Sequence, residues 1–307
     1  MKNEDVSMVK WYKTDRRQVA RKRWALLAEA LFSKCRQSAA ADSNFFDIFK
    51  IIPLPNLSSL DDRWFEYSVI IDHDHDPVSV KIRHLVRIFT IEELTGFNNT
   101  GNVKVWPSEE VLAYVCLKHR HFFEDKSVLE VGGGMSCMAG VLLSQLAKCA
   151  SIHVTDGNVV SVDNVREIVK QNVPAKCPLT CDVLLWHEHG KHCRTYDVIL
   201  AADCLFFEDS RAHLIELMFA LLKNGGISLI MAPKRGDSLA EFVEQCRAKG
   251  FVCNIHQEYD EIIWSQHTKL SKERTDYDED VHFPLFLVLE KRKPSVPSTL
   301  ENTLWSS

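Results

Sequence analysis

At 307 residues with 46% hydrophobic side chains, the chain is long enough for one large α/β domain with an N-terminal extension or for two small domains; one domain plus extension is the reading we favour. A net charge of −5 and an isoelectric point near 6.2 supply no overall positive field for nucleic acid or an anionic membrane. No apolar run reaches the ~18 residues that a bilayer crossing needs, and the N-terminus, Met1-Lys-Asn-Glu-Asp-Val6, has no apolar leader core, so an intracellular, cytoplasmic protein is expected.

Residues 1–60 read as a basic extension. Lys10, Lys13, Arg16, Arg17, Arg21, Lys22 and Arg23 come first, and Ala25, Leu27, Ala30 and Leu31 then fall at helical spacing, which predicts an amphipathic helix behind a solvated arm. The arm is compatible with a nuclear address as well. Residues 61–125 open with two alternating runs, Phe65–Ile70 and Val78–Arg83, separated by Asp72-His-Asp-His-Asp-Pro77, and this pattern predicts a β-hairpin. Imidazoles and carboxylates can ligate a metal, yet a polar hairpin tip accounts for this cluster, and the crowded His187, His189, His192 and Cys193 lack finger-like spacing; no metal is assigned. Pro107-Ser-Glu-Glu110 begins a helix over about 108–117.

Residues 126–290 alternate strand and helix as repeating βα units do. Strand 128–131 leads to helix 138–146, strand 152–155, helix 160–171, a strand near 183–185 and strand 196–201. Helix 211–222, a Gly225-Gly226 turn, strand 227–231, helix 238–249, strand 251–257 and strand 285–289 complete the series, and the hydrophilic stretch 269–280 reads as a surface excursion. The tail, 291–307, carries Pro294, Pro297 and several serines and reads as disordered. Ten cysteines (Cys35, Cys116, Cys137, Cys149, Cys177, Cys181, Cys193, Cys204, Cys246 and Cys253) are scattered, several of them in apolar elements, and read as small core hydrophobes rather than a disulfide framework.

Within this series the segment Ser127-Val-Leu-Glu-Val-Gly-Gly-Gly-Met-Ser-Cys-Met-Ala-Gly140 carries the chemistry. A buried strand, a glycine turn and an apolar helix start let the backbone approach a nucleotide and aim the first helical N–H groups at it. The spacing is not G-x-G-x-x-G, because Gly132 and Gly134 are followed by Cys137, and no Gly-Lys-Ser or Gly-Lys-Thr closes a Walker loop. Instead Glu130 precedes the glycines, and Asp156 ends the next strand about 20 residues on, where a ribose diol is gripped. Two carboxylates without a phosphate cradle suit a cationic nucleoside.

Glu130-x-Gly132-x-Gly134 followed by Asp156 resembles the S-adenosylmethionine site of class I methyltransferases, with Ser136 standing where a third glycine is usual. That resemblance implies a doubly wound, Rossmann-like α/β sheet with an antiparallel seventh strand, preceded here by the N-terminal helix and β-hairpin extension. Val105-Trp106-Pro107 resembles the cofactor-covering segment of the seven-β-strand protein lysine methyltransferases. Trp186 stands where that family places an aromatic against adenine, with Leu185 replacing the usual aspartate before it. Asp203 and Phe206 occupy the family's Asp-x-x-Tyr positions beside the transferable methyl, Phe206 replacing tyrosine. No Asn-Pro-Pro-Tyr or Asp-Pro-Pro-Tyr occurs there, which argues against nucleobase methylation.

The resemblance thus implies that Trp106, Glu130, Gly132, Gly133, Gly134, Asp156, Trp186 and Ala202 hold S-adenosyl-L-methionine. It implies that Asp203 and Phe206 serve the transfer, with Phe207 beside them lining a lysine channel. Longer blocks, Phe89–Asn102, Val105–Tyr114, Ala201–Phe206, Ala232–Gly236 and His282–Leu285, are similar to the branch of this family that acts on calmodulin. They imply methylation of a calmodulin lysine, ending in trimethyl-lysine. Calmodulin is acidic, so the basic arm or Lys81, Arg83 and Arg87 could attract it. A monomer is expected. The rival readings are a cofactor-binding interaction protein with weak or no catalysis, and a methyltransferase of another protein lysine or of a small molecule.

Overall fold

The computed structural model describes residues 46–71, 77–86, 104–205 and 208–292. The basic arm and its expected helix, the Asp72–Asp76 cluster, the segment 87–103, Phe206, Phe207 and the tail lie outside them.

The core is a seven-stranded sheet. Its strands are β4 (Ser127–Glu130), β5 (Ser151–Asp156), β6 (Leu179–Val183), β7 (Tyr196–Ala202), β8 (Leu222–Ala232), β9 (Phe251–His256) and β10 (Leu285–Lys291), in spatial order β6-β5-β4-β7-β8-β10-β9. β4 to β8 run parallel, and β10 lies antiparallel between β8 and β9. Val128 and Leu129 in β4 and Val198, Ile199, Leu200 and Ala201 in β7 are each fully buried. Such continuous apolar runs belong to strands covered on both faces, which is why helices must cover this sheet. The chain runs outward from β4 through β5 to β6, then returns to β7 on β4's other side. The resulting switch point opens a crevice at the carboxyl ends of β4 and β7.

Helix α1 (Pro107–Lys118) starts with proline at its first position, where no N–H is needed, and is buried from Pro107 through Leu117. It packs on α2 (Met138–Leu146) and against β7 and β8. α3 (Val159–Gln171) is capped by Asn158, whose side chain accepts from the N–H groups of Val160 (2.8 Å) and Ser161 (3.3 Å). α4 (Glu208–Leu221), α5 (Ser238–Lys249), α6 (Glu261–Glu273) and the single turn α7 (Glu279–His282) complete the set.

Ahead of the core, β1 (Lys50–Pro53), β2 (Asp62–Val69) and β3 (Val78–Leu85) form a small antiparallel sheet in that order. Tyr67, Val80 and Ile82 bury one of its faces. Two asparagines of the core hold its β3 side. Asn172 accepts the Lys81 N–H (2.8 Å) and donates to Lys81 O (2.8 Å), and Asn164 donates to Arg83 O (2.9 Å).

Four details depart from the sequence reading. β1 was not expected. β6 lies at Leu179–Val183 rather than 183–185, because it is an edge strand with alternating exposure and is less apolar than the Leu184-Leu185 that follow it. The stretch from 269 is not a plain excursion: α6 runs to Glu273 and α7 begins at Glu279. The Gly225-Gly226 turn is absorbed into β8 as a bulge, since Tyr196 pairs with Leu222 but Val198 with Ile227.

Candidate active site

Gly132 and Gly134 follow β4 at φ +60 each, a backbone that a side chain resists. The Gly133 N–H donates to Thr155 O (3.0 Å) and the Cys137 N–H to Gly133 O (2.9 Å), so the turn is hydrogen-bonded to the end of β5 and closes directly into α2. A Cβ on Gly132 would lie 2.8 Å from Cys204 Sγ and 3.1 Å from Trp186 Cζ2. The glycine turn, the indole after β6 and the end of β7 therefore meet at one point, with half-buried Ala202 accepting from the Cys204 thiol at 3.3 Å.

Four carboxyl groups are buried around this turn. Asp156 accepts from the N–H groups of Gly134 (2.9 Å) and Asn158 (2.8 Å), and burial pushes its pKa up to about 6. Each of its oxygens keeps a second lone pair, enough to receive a diol. Glu130 accepts from the Gly140 N–H (2.7 Å) beneath the first turn of α2, where a helix start favours an anion. Burial, then the neighbouring Glu109, push its pKa up to about 8. Its observed contact thus holds the turn in shape.

Glu109 reaches across from α1 to accept the Ser136 hydroxyl, the Met138 N–H (3.3 Å) and the Trp106 N–H, and burial pushes it up to about 7. Glu110 beside it is driven well above the carboxyl range by burial and by Glu109. Glu109, Glu130 and Asp156 form no ion pair with a lysine or arginine among the described residues. A cation delivered by a ligand would offset their mutual repulsion, which is the charge a sulfonium carrying an α-ammonium brings.

On the other side of the crevice a small pocket is lined by Lys104, Trp106, Ser108, Asp203, Arg235 and His282. Asp203 takes a left-handed backbone (φ +57), and its N–H donates to Met231 O (2.9 Å). Arg235 grips its carboxylate with both Nη atoms, Nη2 to Oδ2 at 2.8 Å. His282 accepts the Asp278 N–H on Nδ1 (2.9 Å), and burial lowers its pKa to about 4, so the ring is neutral with its proton on Nε2. Half-buried Trp106 presents its ring to Lys104, whose Nζ sits 5.0 Å from the centroid.

The expected site residues fall into two groups. The glycines, Glu130, Asp156 and Trp186 gather at the turn; Trp106 and Asp203 share the pocket; Ala202 lies between them; Phe206 is outside the described residues. Sequence reasoning did not single out Glu109, Arg235, His282 or Asn164. Asn164 donates to Met135 O (2.8 Å) and so joins the small sheet to the glycine turn. Glu109 read only as a helix start, and Arg235 only as one letter of a longer block.

The strand order, the antiparallel β10, the glycine turn after β4 and the acid closing β5 define a class I methyltransferase, with S-adenosylmethionine as its cofactor. A family model described as lysine methyltransferase matches residues 87–249, and the chain belongs to that family. The chain is 31% identical over 208 residues to calmodulin-lysine N-methyltransferase of Arabidopsis thaliana, covering 65% of this chain and 68% of that protein. It is 22% identical over 154 residues to protein N-lysine methyltransferase METTL21A of Xenopus tropicalis, 50% of this chain and 70% of that one. Among solved structures, a methyltransferase from Pyrococcus furiosus matches with a TM-score of 0.43 at 16% identity, over 60% of this chain and 83% of that chain.

Proposed function

We propose that the protein transfers methyl groups from S-adenosylmethionine to a lysine of calmodulin, ending at trimethyl-lysine, as a monomer in the cytoplasm and also the nucleus. The observation that carries the lysine chemistry is that a carboxylate, Asp203, and an indole, Trp106, line one pocket at the switch point. An anionic edge and an aromatic face together receive an alkylammonium. The choice of calmodulin is supported by the name and identity of the Arabidopsis relative.

Lysine has an ordinary pKa near ~10.4, and only its neutral form has a lone pair for attack. When bound, the cofactor supplies an electrophilic methyl group on a sulfonium. Asp203 orients the target nitrogen through a single N–H bond and Trp106 helps exclude water, while desolvation and the positive charge of a bound sulfonium nearby favour loss of the ammonium charge. The proton then leaves to solvent at the pocket mouth. Alignment of nitrogen with the methyl–sulfur axis is the main contribution, worth on the order of several kcal/mol. Of the cations expected to draw in calmodulin, Arg83 is already paired with Asp62 at 2.7 Å, which leaves Lys81, Arg87 and the basic arm as candidates.

Intact-mass spectrometry of unmethylated calmodulin incubated with the protein and S-adenosylmethionine tests this, alongside an Asp156→Ala variant. Single-methyl steps ending at three on one lysine, lost in the variant, are expected. An unshifted mass despite calorimetric cofactor binding would move the assignment to another protein lysine or to an interaction role.

A further inference from the structure

Arg235 follows β8 in a loop bent by two left-handed residues, Arg235 itself (φ +46) and Gly236 (φ +67). One residue of α7 anchors both. The Arg235 N–H donates to Asp280 O at 2.7 Å, and the Gly236 N–H donates to the Asp280 carboxylate, 3.0 Å from each oxygen. The guanidinium is thereby delivered to Asp203 almost without solvent contact, its side chain 5% exposed and that of Asp203 11%. Nη1 reaches Oδ1 and Nη2 reaches Oδ2, an end-on fork. Such a fork fixes both the position and the plane of a carboxylate, which a lysine's single-point charge does not do. It also uses the paired inner lone pairs. The outer ones remain, and each can accept only one N–H, the geometry an ammonium offers.

We propose that Arg235 is a positioning residue of the methyl transfer, turning Asp203 into an oriented, single-point acceptor for an ammonium at the place of the transferable methyl. Asp280 acts one step further out by fixing the backbone from which Arg235 reaches. This rests on the reading that Asp203 receives the target amine, and it does not depend on which protein carries that amine.

Two cofactor analogues separate the role from general stability. Sinefungin carries a primary amine where S-adenosylmethionine carries its methyl-bearing sulfur, and S-adenosylhomocysteine has no cationic group there. Calorimetric titration of both ligands into wild type, Arg235→Gln and Asp280→Ala gives a ratio that reports only on the ammonium contact. Wild type should prefer sinefungin. In Arg235→Gln that preference should fall ~10-fold, the size of one charge-assisted hydrogen bond, with S-adenosylhomocysteine affinity within about twofold. Asp280→Ala, which keeps the guanidinium, should show a smaller fall of the same kind.

No preference in wild type, or a ratio unchanged in both variants, overturns the proposal. If Arg235→Gln loses both ligands together, Asp280→Ala decides: a shifted ratio supports the role and an unshifted one removes it. Calmodulin turnover is read separately. An unmethylated calmodulin with an Arg235-dependent ratio discards the substrate assignment and keeps the positioning role.

Discussion

The two banks of the crevice bury their carboxylates in opposite ways. On the β4–β5 bank, Asp156, Glu130 and Glu109 are held by backbone N–H groups and a hydroxyl, and burial raises their pKa values to about 6, 8 and 7. On the β7–β8 bank, Asp203 is gripped by a guanidinium that the fold itself carries in. The first bank has charge that an arriving cation must complete, and the second has charge already completed and aimed. A site that takes two cations in sequence, cofactor and then target amine, gains from this division. The first bank responds to its ligand, and the second presents one geometry throughout.

Substitutions on each bank should therefore fail differently. The largest effect is expected from Asp203→Asn: the single-turnover rate of methyl transfer should drop ~100-fold, in the range for loss of an oriented polar group at a reacting atom, with cofactor affinity nearly unchanged. Equal loss of rate and affinity would erase the distinction between the banks. Asp156→Ala should do the reverse, weakening S-adenosylmethionine ~10- to 100-fold by calorimetry, the worth of hydrogen bonds to a charged group.

Next comes pH. Raising it from 6 to 8 ionises Glu109 and Glu130, so the affinity for the cationic cofactor should rise severalfold, whereas that for S-adenosylhomocysteine, uncharged at sulfur, should rise less. Stability of the cofactor-free protein should move the other way. These acids hold protons more tightly folded than unfolded, so their contribution is greatest below the ordinary carboxyl pKa and declines as pH rises toward 8. Melting temperatures measured across that range, with and without cofactor, check both signs. A flat cofactor-free profile would mean the first bank is not poised as described.

Off both banks the effect should fall on stability alone and leave the chemistry untouched. Asn172→Ala removes the amide that bridges Lys81 and should cost about 1–3 kcal/mol of stability in denaturant titration, leaving cofactor affinity unchanged.

Much of the fold was legible because its signals are local. The apolar runs of β4 and β7, the glycines between β4 and α2 and the proline opening α1 declare themselves within a few residues. Strand β6 was displaced for the same local reason, since an edge strand with alternate residues exposed is less apolar than the turn that follows it. The site was legible on the β4–β5 bank, where the glycine-to-aspartate spacing is fixed by one βαβ unit. It was not on the other. Asp203 and Arg235 are 32 positions apart and Ser136 and Glu109 are 27 apart, and no glycine turn or strand-end motif marks either pair as partners. A sequence shows a polar residue's type, and its partner becomes visible only after the chain has closed.

The bridge from Asn172 to β3 has one more consequence. An outermost strand exposes a row of unanswered amides and carbonyls, a template on which another chain can add itself. Here the Lys81 N–H and C=O are both answered by one side-chain amide, and the Arg83 C=O by a second. The appended sheet is thus sealed along that margin by the domain it serves, and its growth into a neighbouring molecule is stopped there without spending an extra strand.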